Sequence, residues 1–395
     1  MTTEFADLLY LFSCAALGKA PEEDREYNLK KIYLLAEKQQ IDTIIFPVIN
    51  KLKERGRNVD STVFDAWARK FYGAVSFSAK RGYYISGLLK RLEGENIKYC
   101  ILKGESLSDL YAEPDSRISG DIDLWICSSG DMPRVIELLE QDGFYTERNT
   151  LESHQIECRH KIYGLIELHS DICDSVAKQI WFSDKVSFSE DFIRKSDSYG
   201  GSFYALSATD GAIFVTFHFI KHFLSHGCGC RQLMDMLLYL KHYENEINWE
   251  IFNGLYAELK YLKFIDKCKQ IGKLYFGIDF KDVKAADKSL LDKILTDMEG
   301  SGVFGESEEF RKEFAAYYTK KRKKNSVGTS KTQFKYLLER ISEFMRNRNY
   351  NPFAIIRDLI KRNRTIDKNT EKVNERLGLF ENLGFFEDIE ETEER

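Results

Sequence analysis

Two aspartates one residue apart, Asp121 and Asp123, stand in the run Asp121-Ile-Asp-Leu-Trp-Ile126 and are the side chains best suited to chemistry in this chain. Along a strand, successive side chains alternate faces. The two carboxylates therefore point one way, and Ile122, Leu124 and Ile126 point the other. Neighbouring carboxylates repel each other, and keeping both ionised calls for a cation between them. Mg²⁺ suits that position, because it takes one or two carboxylates and completes its shell with water and phosphate oxygens. Upstream, Tyr99-Cys-Ile-Leu-Lys-Gly-Glu-Ser-Leu-Ser-Asp-Leu-Tyr111 reads as an apolar strand running into Gly104, followed by a short amphipathic turn. A strand, a glycine turn and a returning strand with paired acids outline a phosphoryl-transfer site.

Lys103-Gly104, Leu107, Tyr111, Arg117 and Asp121-Ile-Asp-Leu124 together resemble the nucleotidyltransferase superfamily that includes DNA polymerase β. Within it they look like a bacterial group of uncharacterised nucleotidyltransferases, and the nucleotidyltransferase toxins of abortive-infection systems have a similar run. The resemblance implies an NTP as donor substrate and three carboxylates holding two divalent cations, Mg²⁺ or Mn²⁺. It also implies that Gly104 lets the backbone approach the triphosphate and that the Ser106 hydroxyl binds it. The usual Gly-Ser or Gly-Gly is Gly104-Glu105 here, with Ser106 one position later. A Glu105 carboxylate aimed inward would repel a triphosphate. Aimed outward, it would favour the helix N-terminus.

The third carboxylate is expected on a neighbouring strand. In Leu165-Ile-Glu-Leu-His169, residues Leu165, Glu167 and His169 share one face, and Gly164 marks a hairpin turn back to Gln155–Lys161. Glu167 is therefore the candidate third metal ligand, beside Asp121 and Asp123, and the candidate base for an incoming hydroxyl. His169 is either a partner behind the ligands or a polar strand-end residue. Lys103 either binds phosphate or is solvated at a strand end. Arg117 suits phosphate oxygens bidentately, the alternative being a loop arginine paired with Asp115 or Asp121.

A second informative region, Ser207–Tyr243, contains His218, His222, His226, Gly227, Gly229, Arg231, Gln232 and Asp235. Histidines four apart share a helix face and suit zinc, but hydrogen-bonded core histidines are the commoner arrangement. The better functional reading places this helix against the cleft, with Lys221, His222, Arg231 and Asp235 beside the triphosphate, base or acceptor. The nucleotide-binding set expected from sequence is Lys103, Gly104, Ser106, Arg117, His222 and Arg231.

These residues need a scaffold, and the composition provides one. The 395 residues are 43% hydrophobic and 13% aromatic, enough for a sizeable core in two or three domains. The opening Met1–Leu11 carries Glu4 and Asp7 rather than a basic leader, and there is no apolar run of membrane-spanning length. The expectation is a cytoplasmic protein with no membrane partner. Eight cysteines, with Cys228-Gly-Cys230 the only close pair, read as reduced thiols rather than a disulfide frame. A net charge of −5 makes no global case for nucleic acid, but Lys320–Arg348 holds ten Lys/Arg against two Glu. That run is either a contact for tRNA or another polyanion, or a solvated helix end and loop.

The apolar spacing predicts helices over Phe5–Ala16, Tyr27–Lys38 and Thr43–Leu52, and a longer one capped at Asp60 and reaching Leu92. Strands are expected over Ile97–Leu102, Asp121–Ile126, Phe144–Arg148 and Gln155–Lys161, with a helix over Met132–Gln141. Further helices follow over Trp249–Phe276, Asp287–Asp297, Glu308–Tyr318 and Phe353–Lys361, and Phe386–Arg395 is an acidic tail. The fold class is thus α+β and mostly helical, with a small mixed nucleotidyltransferase-type sheet. The domains expected are an N-terminal helical region (1–93), an α/β core (94–200), a C-terminal helical domain (201–345) and a helical extension with the tail (346–395). Functionally the first reading is nucleoside monophosphate transfer from an NTP to a hydroxyl of a small molecule, tRNA or protein, with release of pyrophosphate. The alternatives are a degenerate nucleotidyltransferase acting as a binding or regulatory module, with Glu105 its main support, and a nucleotidyltransferase toxin.

Overall fold

In a computed structural model, the described residues are 1–302, apart from 23–24, 58, 147–154, 171, 173–193, 197–200, 226, 282 and 284–286, together with 370–385. The chain divides into two compact units, Met1–Gly305 and Glu306–Arg395. The expected helices over Glu308–Tyr318 and Phe353–Lys361, the basic run Lys320–Arg348 and the acidic tail all lie outside the described residues.

Four helices open the first unit: α1 (Thr3–Leu17), α2 (Leu29–Lys38), α3 (Asp42–Glu54) and α4 (Ser61–Gly94). Asp60 caps α4 by accepting the Val63 N–H at 3.0 Å, as its place before the apolar periodicity suggests. With 34 residues, α4 is roughly 50 Å long and spans two packing environments. Near its start, Trp67 packs on Tyr33 and Phe46 and donates its indole N–H to the Asp42 carbonyl at 2.7 Å. Near its end, Ile85, Leu88, Leu89 and Leu92 form the apolar stripe that covers the sheet.

That sheet has five strands in the order β1-β2-β5-β4-β3: β1 (Tyr99–Ile101), β2 (Asp121–Ile126), β3 (Tyr145–Thr146), β4 (Gln155–His160) and β5 (Gly164–His169). Only β2 and β5 are parallel; every other neighbour is antiparallel, so the sheet is mixed. The short helix α5 (Glu105–Ser108) lies between β1 and β2, and α6 (Met132–Gln141) between β2 and β3. Ile122, Leu124, Ile126, Ile166 and Leu168 are buried with Val135, Leu138 and Leu139 of α6 and with the α4 stripe. The alternation therefore turns the Asp121/Asp123 face of β2 and the Glu167/His169 face of β5 away from this core. A separate ribbon, β6 (Arg194–Ser196) and β7 (Gly201–Phe203), was not anticipated from sequence. The segment after it runs along β1, where Ile101 N–H donates to the Tyr204 carbonyl at 2.9 Å.

Four helices follow: α7 (Ala208–Ser225), α8 (Cys230–His242), α9 (Trp249–Glu258) and α10 (Leu262–Ile271), and α10 runs into a π-turn over Gly272–Phe276. Helix α11 (Lys288–Ser301) completes the described part of the first unit. Buried Gln39 joins the two ends, accepting the Cys230 N–H at the start of α8 and donating to the Met298 carbonyl of α11. In the second unit α12 (Thr370–Asn382) stops before Gly384, whose φ is +80°. The fold is α+β and mostly helical around one small mixed sheet. No described helix is long and apolar enough to cross a membrane, and the cysteines among the described residues are free thiols.

Gly164 opens β5 at φ +78°, where a Cβ would also meet the Phe77 ring at 2.8 Å. Gly87, exposed on α4, has open space around it. Gly164→Ala should destabilise the protein by about 1–3 kcal/mol, because an L side chain disfavours that backbone conformation. Gly87→Ala should instead stabilise it by about 0.5–1 kcal/mol through helix propensity. Denaturant unfolding of the two variants beside the parent checks both signs.

Candidate active site

Strand register brings Asp123 and Glu167 together, while Asp121 lies outside the Asp123, Glu167 and His169 cluster and on the cavity wall. In the parallel pair β2 and β5, Asp123 stands opposite Glu167 and Asp121 opposite Leu165. Asp123 is 1% exposed, Glu167 is partly buried, and Asp121 is the most open of the three. Asp123 Oδ1 meets His169 Nε2 at 3.0 Å and Lys103 Nζ at 3.2 Å. Lys103 Nζ is also 3.8 Å from Asp121 Oδ2, and His169 Nε2 is 3.8 Å from Glu167 Oε2. His169 is thus a partner of the acids and not merely a strand-end residue.

Burial and charge pull these groups apart in acidity. Burial opposes ionisation of Asp123, but the Lys103 ammonium and the His169 hydrogen bond outweigh it and hold the carboxyl down at about 2. Glu167 goes the other way: burial first, then the Asp123 charge, pushes its carboxyl up to about 8. The Lys103 ammonium is raised above its ordinary range: burial disfavours its charge, and Asp123, Asp121 and Glu167 more than compensate. Burial and charge therefore favour an ionised Asp123 against the lysine and a proton on Glu167 beside it.

The donor set fits a divalent cation. Asp123, Glu167 and His169 each offer a ligand atom within 4.8 Å of the others. Asp123 Oδ2 is buried and receives no N–H or hydroxyl hydrogen bond among the described residues, and Asp123 shares a side-chain hydrogen bond with the neighbouring Glu167 carboxyl. A buried carboxylate oxygen is costly to leave unpaired, and coordination to a metal is one way to satisfy it.

Two loops meet at this site. Gly104 ends the β1 loop at φ +79°, and a Cβ there would press on Ser119 Oγ at 3.1 Å and the Asp121 carbonyl at 3.3 Å. Its own carbonyl accepts the Leu107 N–H and Arg117 Nη1, each at 3.0 Å. Arg117 also grips Asp235 of α8 with two parallel bonds, at 2.9 and 2.7 Å, and the Tyr111 hydroxyl donates to the same carboxylate at 2.7 Å. All three residues are buried. Burial works against the Asp235 charge, yet the Arg117 guanidinium keeps its carboxyl below the usual range. Arg117, expected at phosphate oxygens or beside Asp115 or Asp121, is instead paired with Asp235. From α4, buried Arg81 donates to the Ser119 carbonyl at 2.8 Å.

A cavity of about 420 Å³ opens between these loops and helices α7 and α8. Lys103, Gly104, Arg117 and Asp121 line it on the sheet side, and His218, His222, Arg231 and Asp235 on the helical side. Ser106, the expected phosphate hydroxyl, is buried on α5 away from this wall, and Ser119 lines the cavity instead. Arg231 reaches only the Ile118 and Gln40 carbonyls, at 3.4 and 3.5 Å, and its buried Nε has no partner among the described residues. The rings of His218 and His222 meet edge to face at 4.4 Å. Burial, then the Lys103 charge, pushes the His218 imidazole well below its ordinary range, so it is neutral. His226, the third histidine of the zinc alternative, and the side chain of Glu105 lie outside the described residues.

Sequence reasoning missed Arg81 and Ser119. Arg81 had a readable signal, since it falls on the helical stripe shared by Ile85, Leu88, Leu89 and Leu92, where a charge is unexpected. Ser119 had none, because its role depends on how the loop closes on Gly104.

The family model described as uncharacterised nucleotidyltransferase matches residues 26–277. Among solved structures, the crystal structure of the lincosamide antibiotic adenylyltransferase LnuA with lincomycin bound is similar over 40% of this chain and 94% of that one. The identity is 18% and the TM-score 0.29, too weak a likeness to bear on substrate. No curated protein is a significant match. The matched range covers most of the chain and contains every residue of the site, and on that ground the chain belongs to the family of uncharacterised nucleotidyltransferases.

Proposed function

We propose that this nucleotidyltransferase is a Mg²⁺- or Mn²⁺-dependent enzyme that moves a nucleoside monophosphate from an NTP to an acceptor hydroxyl and releases pyrophosphate. The observation that carries the reading is the register of β2 against β5, which sets Asp123 opposite Glu167 beside a cavity lined by Asp121. Asp121, Asp123 and Glu167 would hold two divalent cations. When bound, such ions lower the pKa of an attacking hydroxyl and screen the triphosphate charge.

The chain's own residues do the rest. Gly104, with no side chain, lets the backbone come close to the triphosphate. Lys103, His222 and Arg231 face it across the cavity. Arg117 acts at one remove, fixing the Gly104 carbonyl from its pairing with Asp235. Ser106 serves the nucleotide only if α5 shifts toward the cavity, and Ser119 already stands on the wall. The acceptor oxygen attacks the α-phosphorus, the bond from that phosphorus to the β-phosphate oxygen breaks, and pyrophosphate leaves. The acceptor's proton passes to the Glu167 carboxylate. The acceptor is a hydroxyl on a small molecule, a tRNA or a protein.

Calorimetric titration of ATP, GTP, CTP and UTP with Mg²⁺ into the parent protein and Asp123→Asn tests the reading. Binding of at least one nucleotide should require the metal, and it should weaken tenfold or more in the variant, as loss of a charged ligand implies. No nucleotide binding by folded parent protein would refute it.

The raised Glu167 acidity gives a signed pH dependence. With a folded-state pKa of about 8 against an ordinary 4.5, the folded protein keeps a proton that the unfolded chain has lost. This contribution is fully present below about 4.5 and is lost as pH rises through 8. Metal-free parent protein should therefore lose melting temperature between pH 5.5 and 8.5 relative to Glu167→Gln. Because Mg²⁺ binds the carboxylate form and expels the proton, its stabilising shift should be larger at pH 8 than at pH 6. A thermal-melt series across pH, with and without Mg²⁺, measures both slopes.

A further inference from the structure

Among the described residues Lys103 is the ammonium set beside these acids, 3.2 Å from Asp123 and 3.8 Å from Asp121. It is placed where a metal would act electrostatically, yet it fills that role incompletely. It meets Asp123 through Oδ1, the oxygen that His169 also contacts. Of its two acidic contacts, that to Asp121 is longer than a hydrogen bond.

The backbone on either side of the lysine is fixed. Leu102 N–H donates to the Asp123 carbonyl at 3.0 Å, and the Gly104 carbonyl is held by Leu107 and Arg117. The side chain is not fixed in the same way. It is about one-fifth exposed, lines the cavity, and has a flexible four-carbon stem.

We infer that Lys103 is an exchangeable counter-cation: a divalent metal displaces it from Asp123 and Asp121, and the triphosphate in the cavity receives it. The inference rests on the nucleotidyltransferase reading of the site and adds a coupling to it. Metal alone binds poorly, because it must strip an ammonium from the carboxylates and leave it in a half-buried place without an anion. Nucleotide alone binds poorly, because the lysine is held by the acids. Together each removes the other's penalty, so the two bind cooperatively through one side chain, and by linkage each raises the other's affinity by the same factor.

The test is a Mn²⁺ titration followed by the free-ion paramagnetic resonance signal, on parent protein, Lys103→Gln and Lys103→Arg, with and without each of the four NTPs. Lys103→Gln should bind Mn²⁺ alone on the order of 10- to 100-fold more tightly than the parent, as loss of an adjacent opposing charge predicts. Nucleotide should then add much less to its metal affinity. Lys103→Arg keeps the charge and should behave like the parent. Metal-free Lys103→Gln should melt lower than the parent and recover with Mn²⁺, which separates loss of the counter-ion from a folding defect. If Lys103→Gln binds Mn²⁺ alone no better than a parent that does bind metal and nucleotide together, the exchange is wrong and the nucleotidyltransferase reading stands. If the parent binds no metal–nucleotide pair, that reading falls and the exchange falls with it.

Discussion

The structure around the site depends on a charge balance: among the described residues, three acids on one sheet face are set against Lys103. Asp123 carries most of the burden, being nearly inaccessible to water. Isolated charges are not tolerated in such places, so an ionised Asp123 requires Lys103 and His169, and burial first, then the Asp123 charge opposite it, favours a proton on Glu167. The arrangement is possible because the other faces of β2 and β5 are wholly apolar and are locked to α4 and α6. A slip of one residue between these parallel strands would turn Glu167 into the core and an isoleucine or leucine toward Asp123. The hydrophobic pattern thus specifies the chemistry as firmly as the acids do.

A second buried ion pair decides what faces the acids. Arg117, Asp235 and Tyr111 join the loop before β2 to α8, and Arg117 reaches on to the Gly104 carbonyl. Deleting one side of a buried pair strands the other, at a typical cost of about 3–5 kcal/mol. The helical wall of the cavity, with Arg231, His222 and His218, therefore has a fixed position relative to the sheet. Arg81 on α4 pins the same loop from the other direction. Backbone carbonyls at Gly104, Ile118 and Ser119 all end on arginines, which fixes the approach to Asp121.

Much of this was legible in the sequence where local periodicity governs. Alternation placed Asp121 and Asp123 on one face and Glu167 and His169 on another strand's matching face, and the cap at Asp60 located the start of the long helix. The glycine at 164, between two strand patterns, marked the hairpin turn, and the structure gives it a positive φ. Partner choice was not legible. Arg117 reads as a phosphate ligand, with Asp115 or Asp121 as the alternative partner, and the sequence offers no measure of its closeness to Asp235, more than a hundred residues away. Ser106 stands out by its place after Gly104, but loop closure puts Ser119 rather than Ser106 on the cavity wall. Residues that act across elements are readable only as anomalies, and Arg81, a charge in an apolar stripe, is the example the sequence did contain.

The central claim is that this carboxylate face exists to hold divalent metal against a triphosphate. Anomalous diffraction from crystals grown with Mn²⁺ and a non-hydrolysable analogue of whichever NTP binds tests it most directly. The account predicts manganese at the carboxylates of Asp121, Asp123 and Glu167, with the triphosphate in the cavity beside Gly104. Nucleotide bound in the cavity with no manganese at those three carboxylates would contradict it.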